Sequence, residues 1–380
     1  MTINSALERD ISLENMLSYG EAIREVATIF ESMHDGEYDF LIVPSRGASP
    51  IVDMCRIHWT SRREPWGHRG GMRRVVESFL ANPISKALHL PFTADAGNLP
   101  LSVEPRDVRR FWCRVVAGMI SDPDADPFFR FYEYLRFNVC GEQDLATQAT
   151  MYDVKRRPAG KRFAFLDTAV SGRAVCEIMD GFADAGLTND IFYIVVIDEN
   201  GAKLRPEYKL KLELAKQAGR AELVYLPRLF TEDQGPAISG IWSVVFPEIM
   251  EEALKAIPEL GEASAAGAGI YYWSVNSTIS ESDPLIDMAI TLRRNAFLSA
   301  VIMPNEERIQ SVLADYRTHV HEHRLFDKKM TLEIARPRIQ AALRLNIRAL
   351  EASSSHVVRV SVDRDQARSA VDDFLSGSTE

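Results

Sequence analysis

The run Phe163-Ala-Phe-Leu-Asp-Thr-Ala-Val-Ser-Gly-Arg-Ala174 sets an apolar stretch, one acid, a few small and hydroxyl residues and a glycine in that order. Residues 162–167 read as a buried strand, since a short apolar run of this kind suits a strand covered on both faces. A helix is expected from Gly172 to Ala185. Between them lies a tight turn. Backbone N–H groups of such a turn at a helix N-terminus cradle a phosphate. The residues expected to do so are Thr168, Ala169, Val170, Ser171, Gly172 and Arg173. Gly172 would let the backbone approach closely. Thr168 and Ser171 would add hydroxyl donors. Asp167, at the strand's carboxyl end, would hold ribose hydroxyls or a magnesium ion, which favours oxygen ligands.

The same alternation continues downstream. Strands are expected at 191–197, 222–226 and 241–246, and helices at 206–218 and 247–256. Strands alternating with helices imply a mainly parallel sheet covered on both faces. Upstream, residues 10–35 have helical periodicity and Tyr38 to Val43 is a short apolar strand ending at Pro44. The turn Ser45-Arg46-Gly47-Ala48 leads to a helix, with Ser49 as N-cap and Pro50 at its first position. Helices are expected at 106–120 and 127–139, with a loop at 122–127. Beyond a small-residue linker at 258–269, residues 284–302, 305–326 and 331–350 are helical by periodicity, and 356–362 alternates like an edge strand. The organisation expected is an α/β domain over 1–258 and a mainly helical region over 270–380.

On these residues the chain resembles the type I phosphoribosyltransferases. Their signature is four apolar strand residues, two acids, a Thr/Ser loop, a glycine, one residue and a threonine. Aligned on Gly172, Asp167 is the second acid and Ser171 the hydroxyl before glycine. Leu166 stands where the first acid would be and Ala174 where the threonine would be. Strand Phe40 to Val43 with Ser45, Arg46 and Gly47 is similar to the family's first strand and pyrophosphate loop. Trp242 to Pro247 is similar to a final core strand. The resemblance implies a phosphoribosyltransferase-like doubly wound, mainly parallel sheet, with 56–150 as a large insertion. It implies binding of 5-phosphoribosyl 1-diphosphate (PRPP) or a nucleotide, magnesium dependence, and a homodimer.

Two basic groups follow from the same resemblance. Lys155, Arg156 and Arg157 would be cations of a mobile loop closing over the reaction centre, where a positioned charge stabilises departing pyrophosphate. Lys203 and Arg205 would contact the base or pyrophosphate, although the residues themselves read more readily as a solvated loop. The Arg/Trp-rich stretch from Arg56 to Arg74 offers charge and stacking for polyphosphate or single-stranded nucleic acid, although Trp59 and Trp66 read more readily as core. His319, His321 and His323 read as a solvated helix face, because no completing ligand pattern accompanies them.

Composition bounds the function classes. Of 380 residues, 44 are Lys or Arg and 54 Asp or Glu, a net charge of −10, which disfavours a chain devoted to nucleic acid. Cys55, Cys113, Cys140 and Cys176 form no CxxC pair, so neither a zinc ribbon nor a redox dithiol is expected. The polar, mixed-charge start is unlike a signal peptide. The most apolar long run, Met288 to Met303, is broken by Arg293 and Arg294. A cytoplasmic protein without a membrane span is expected. Two functions remain: an enzyme transferring ribose 5-phosphate to or from a nucleobase-like acceptor, and a non-catalytic PRPP or nucleotide sensor of regulatory or defence type. A nucleic-acid-binding protein is the weaker third.

Overall fold

The computed structural model describes residues 12–33, 37–45, 47–61, 76–90, 92, 105–134, 145–156, 160–229 and 284–324. Arg46, Arg157, the basic run beyond Ser61, and the elements expected at 241–256, 331–350 and 356–362 lie outside them.

Helix α1 spans Leu13–Ser32, its N-terminus capped by Ser12, whose Oγ accepts from Asn15 N at 3.1 Å. Strand β1 is Phe40–Val43, followed by α2, Ser49–Ser61. Strand β2, Ala87–His89, comes next, then α3, Pro105–Ser121, α4, Pro127–Tyr134, and α5, Leu145–Arg156. The regular part follows: β3, Phe163–Ala169; α6, Arg173–Asp184; β4, Ile191–Ile197; α7, Pro206–Gln217; and β5, Ala221–Tyr225. Two helices, α8, Pro284–Ile302, and α9, Glu306–Glu322, complete the described chain.

The five strands form one all-parallel sheet in the order β2-β1-β3-β4-β5. The runs Phe40-Leu-Ile-Val43 and Phe163-Ala-Phe-Leu166 are wholly buried, as a sheet with two covered faces requires. From β1 the chain steps one way to β2; from β3 it steps the other way to β4 and β5. Parallel crossovers are right-handed, so α2 lies on one face and α6 and α7 on the other. Helix α3 packs against α6, while α1 packs against α2 and α8. The reversal falls between β1 and β3. In a sheet of this order that is the switch point, where the loops diverge and leave a crevice outside the strands' carboxyl ends.

Several expectations are corrected. The interval 56–150 is no mere insertion, because it supplies the edge strand β2 and the helix covering α6. Residues 145–156 are helical where no helix was expected. Ser49 lies inside α2 and turns its hydroxyl to His89 Nδ1 at 3.3 Å. In the region expected to be a separate helical part, α8 packs closely on α1. Arg24 Nη1 donates to the carbonyls of Ala300 and Val301, at 2.9 and 3.3 Å, in the last turn of α8. Gly20 meets the same turn so tightly that a Cβ there would lie 2.5 Å from the Ala300 oxygen. No helix among the described residues is long and apolar enough to cross a membrane.

Candidate ligand site at the β1/β3 switch point

Ser45 follows β1 directly, and its Oγ donates to Asp167 Oδ1 at 2.7 Å, across the switch point. The same Oγ accepts from Ala48 N at 3.2 Å, pinning the turn into α2. The two loops that the sequence singled out are thus joined by one hydroxyl.

Asp167 is 1% exposed. Its Oδ1 also accepts from Thr168 N at 2.8 Å. Its Oδ2 is buried without a hydrogen-bond partner. Burial raises the carboxyl from 3.8 to about 6, against the lowering effects of the Ser45 hydroxyl, the Thr168 N–H and the charge of Arg109. A buried acceptor left unmade is costly. This oxygen is therefore the site's open valence.

The turn beyond β3 is shorter than expected. Thr168 and Ala169 still belong to the strand, which leaves Val170, Ser171 and Gly172. Gly172 is the N-cap of α6, left-handed at φ 82°, with no side-chain cap bond. Ser171 Oγ accepts only a long contact, 3.5 Å, from Arg173 N. The first N–H groups of α6 therefore remain available to an anion. Glycine at 172 also answers to the fold itself: its φ is positive, and a Cβ there would meet Tyr208 Cβ at 3.0 Å and Leu204 Cδ2 at 3.1 Å.

Lys203 and Arg205 lie at the same carboxyl edge, beyond β4. Arg205 N donates to Ser171 O at 3.2 Å, tying the two loops together. Lys203 Nζ pairs with Glu199 at 2.6 Å, and Arg228 reaches the same carboxylate at 3.2 Å. Lys203 is thus already engaged by an acid.

Lys155 and Arg156 are in the last turn of α5 and not in a loop. Lys155 Nζ meets Glu133 at 2.9 Å and Asp124 at 3.8 Å. Asp153 of the same helix reaches Lys86, just before β2. These cations therefore sit at the amino edge of the sheet. A strand of seven residues separates that edge from the crevice by about 20 Å. Trp59 is a core residue packed edge-on to Phe79. His319 contacts the Leu285 carbonyl at 2.8 Å and meets the His323 ring edge-on. Among the described residues no group of three or more His, Cys, Asp or Glu side chains is placed to hold a metal.

Three residues near the carboxyl edge escaped the sequence reading. Arg109 of α3, only 8% exposed, forms an ion pair with Glu177 of α6, which also meets Arg173 at 3.3 Å. His89 ends β2 beside Ser49. The one available signal was the position of Arg109, three and four residues before Trp112 and Cys113 on the buried face of an amphipathic helix. The chain matches no family model, no curated protein and no solved structure.

Proposed function

We propose that the crevice between β1 and β3 binds a phosphorylated ribose, either PRPP or a nucleotide, in the manner of a phosphoribosyltransferase. The observation that carries this reading is the state of Asp167: a strand-end carboxylate with one oxygen fixed by Ser45 and Thr168 and the other buried and unmatched. An unmatched acceptor suits a ribose hydroxyl, which would donate to it. The open N–H groups of α6 suit the phosphate on the same molecule. Oδ2 is shielded from solvent, so a hydroxyl that reaches it must displace part of its present surroundings.

Magnesium fits this arrangement as a ligand-borne ion. Mg²⁺ commonly keeps its waters and binds through one or two carboxylates plus substrate phosphates. Asp167 would be the chain's contribution. Bound there, the ion would neutralise charge on the diphosphate. The chain itself would orient the ribose through Asp167, hold the phosphate on residues 171–175 and exclude water from the crevice.

Binding without turnover is the second reading, and a specific observation favours it. Leu166 is fully buried in the core, and its neighbour Asp167 takes the opposite side of the strand. One carboxylate is thus present where the resembled enzymes present two. Titration calorimetry with PRPP and a panel of nucleotides, with and without magnesium, tests the binding. Pyrophosphate release under the same conditions separates transfer from sensing.

A further inference from the structure

Besides Asp167 Oδ2, the described residues hold a second charged group with an unmatched buried atom near this site. Arg109 Nε is buried without a hydrogen-bond partner, and the residue is more than nine-tenths buried. Its Nη1 is held by Glu177, so the guanidinium is fixed at one corner and unsatisfied at another. Its charge acts on Asp167. Glu177 in turn meets Arg173, the first residue of α6. Arg109 thus reaches the end of α6 from the neighbouring helix α3, on the α6 face of the sheet.

Leaving a buried donor unmade is costly, and Arg109 leaves one at the α3–α6 interface. That N–H belongs to a guanidinium linked through Glu177 to Arg173, at the start of the helix that follows the half-satisfied Asp167. The two unmatched atoms are opposite in kind, a donor and an acceptor. A molecule carrying both an anion and a hydroxyl would satisfy both. A guanidinium is the side chain best shaped to meet phosphate oxygens.

We infer that Arg109 is the cationic half of this site: held by Glu177, it donates Nε–H to a phosphate oxygen of the ligand whose hydroxyl Asp167 Oδ2 accepts. This rests on the ribose-phosphate reading and adds to it a residue from a helix that the sequence resemblance did not reach. Glu177 then has a double role, because it fixes the guanidinium and competes with the ligand for it.

The test uses the full chain, calorimetric titration with PRPP, adenosine monophosphate and inorganic pyrophosphate, and a thermal melt of each variant. Arg109→Lys keeps the charge and an ammonium able to meet Glu177 but removes the Nε–H. It is expected to weaken binding about tenfold or more while the melting temperature stays near wild type. Glu177→Gln removes the competitor and is expected to tighten binding several-fold. A purely structural ion pair predicts that both variants move affinity in the same direction, or not at all. Either result in folded protein overturns the role of Arg109. If Arg109→Lys fails to fold, the sign of the Glu177→Gln effect decides alone. If the wild type binds pyrophosphate but no phosphorylated ribose, the ribose reading falls, and Arg109 stands as an anion-binding residue only if Arg109→Lys weakens the pyrophosphate. If the wild type binds none of the three ligands, both proposals fall.

Discussion

At the scale of single residues, Asp167 makes a pH-dependent prediction with a definite sign. Its carboxyl is raised from 3.8 to about 6 by burial, so the folded chain holds this proton more tightly than the unfolded chain. Stability from this group is fully present below pH 3.8 and is lost as pH rises towards 6. The loss amounts to about 3 kcal/mol for a shift of this size. Asp167→Asn removes the titration. The stability of the variant relative to wild type should therefore fall by roughly 2 kcal/mol between pH 7 and pH 4. Parallel pH profiles in chemical denaturation would contradict this. The neighbouring residue makes a second prediction. Leu166→Asp would bury an unpaired carboxylate in the core, at a cost of several kcal/mol. A melting temperature lower by roughly 10 °C or more is expected, with no gain in magnesium-dependent binding. A stable variant that binds magnesium more tightly would show that position 166 faces the crevice.

At the scale of elements, the order β3, α6, β4, α7, β5 was legible because each strand is a nearly unbroken apolar run and each helix follows a clear turn. Gly172 was legible as a special position, but its packing was not. Its left-handed φ and the side chains of Leu204 and Tyr208 come together only in the fold. Gly172→Ala is expected to cost about 1–3 kcal/mol in a urea melt, and wild-type stability would refute this account of the turn. Strand β2 was illegible, since three residues carry no periodicity. The α3–α6 ion pair was hidden for a different reason. Its partners are 68 positions apart, and a single arginine on a helix reads as solvated until its acid is found. Ser45 and Asp167, 122 positions apart, were brought together beforehand only by the family resemblance.

At the scale of the whole molecule, the C-terminal helices dock on the α/β domain through α1. Gly20 lets α8 approach, and Arg24 caps its final carbonyls, a favourable place for a cation. Gly20→Leu would drive a branched side chain into the Ala300 backbone. It is expected to speed proteolytic release of the segment from Pro284 onward, with little effect on a ligand at the β1/β3 crevice. Unchanged proteolysis would mean that the α1–α8 contact does not hold this region. The central claim is that a phosphorylated ribose is recognised at the switch point through Asp167. Its most direct test is calorimetric titration of the wild type and Asp167→Asn with PRPP in the presence of magnesium, each protein shown by circular dichroism to be folded. Saturable binding to the wild type, weakened at least about tenfold in the variant as expected for a lost charged hydrogen bond, is the predicted result. Equal affinity in the two folded proteins, or no binding to the wild type, would contradict it.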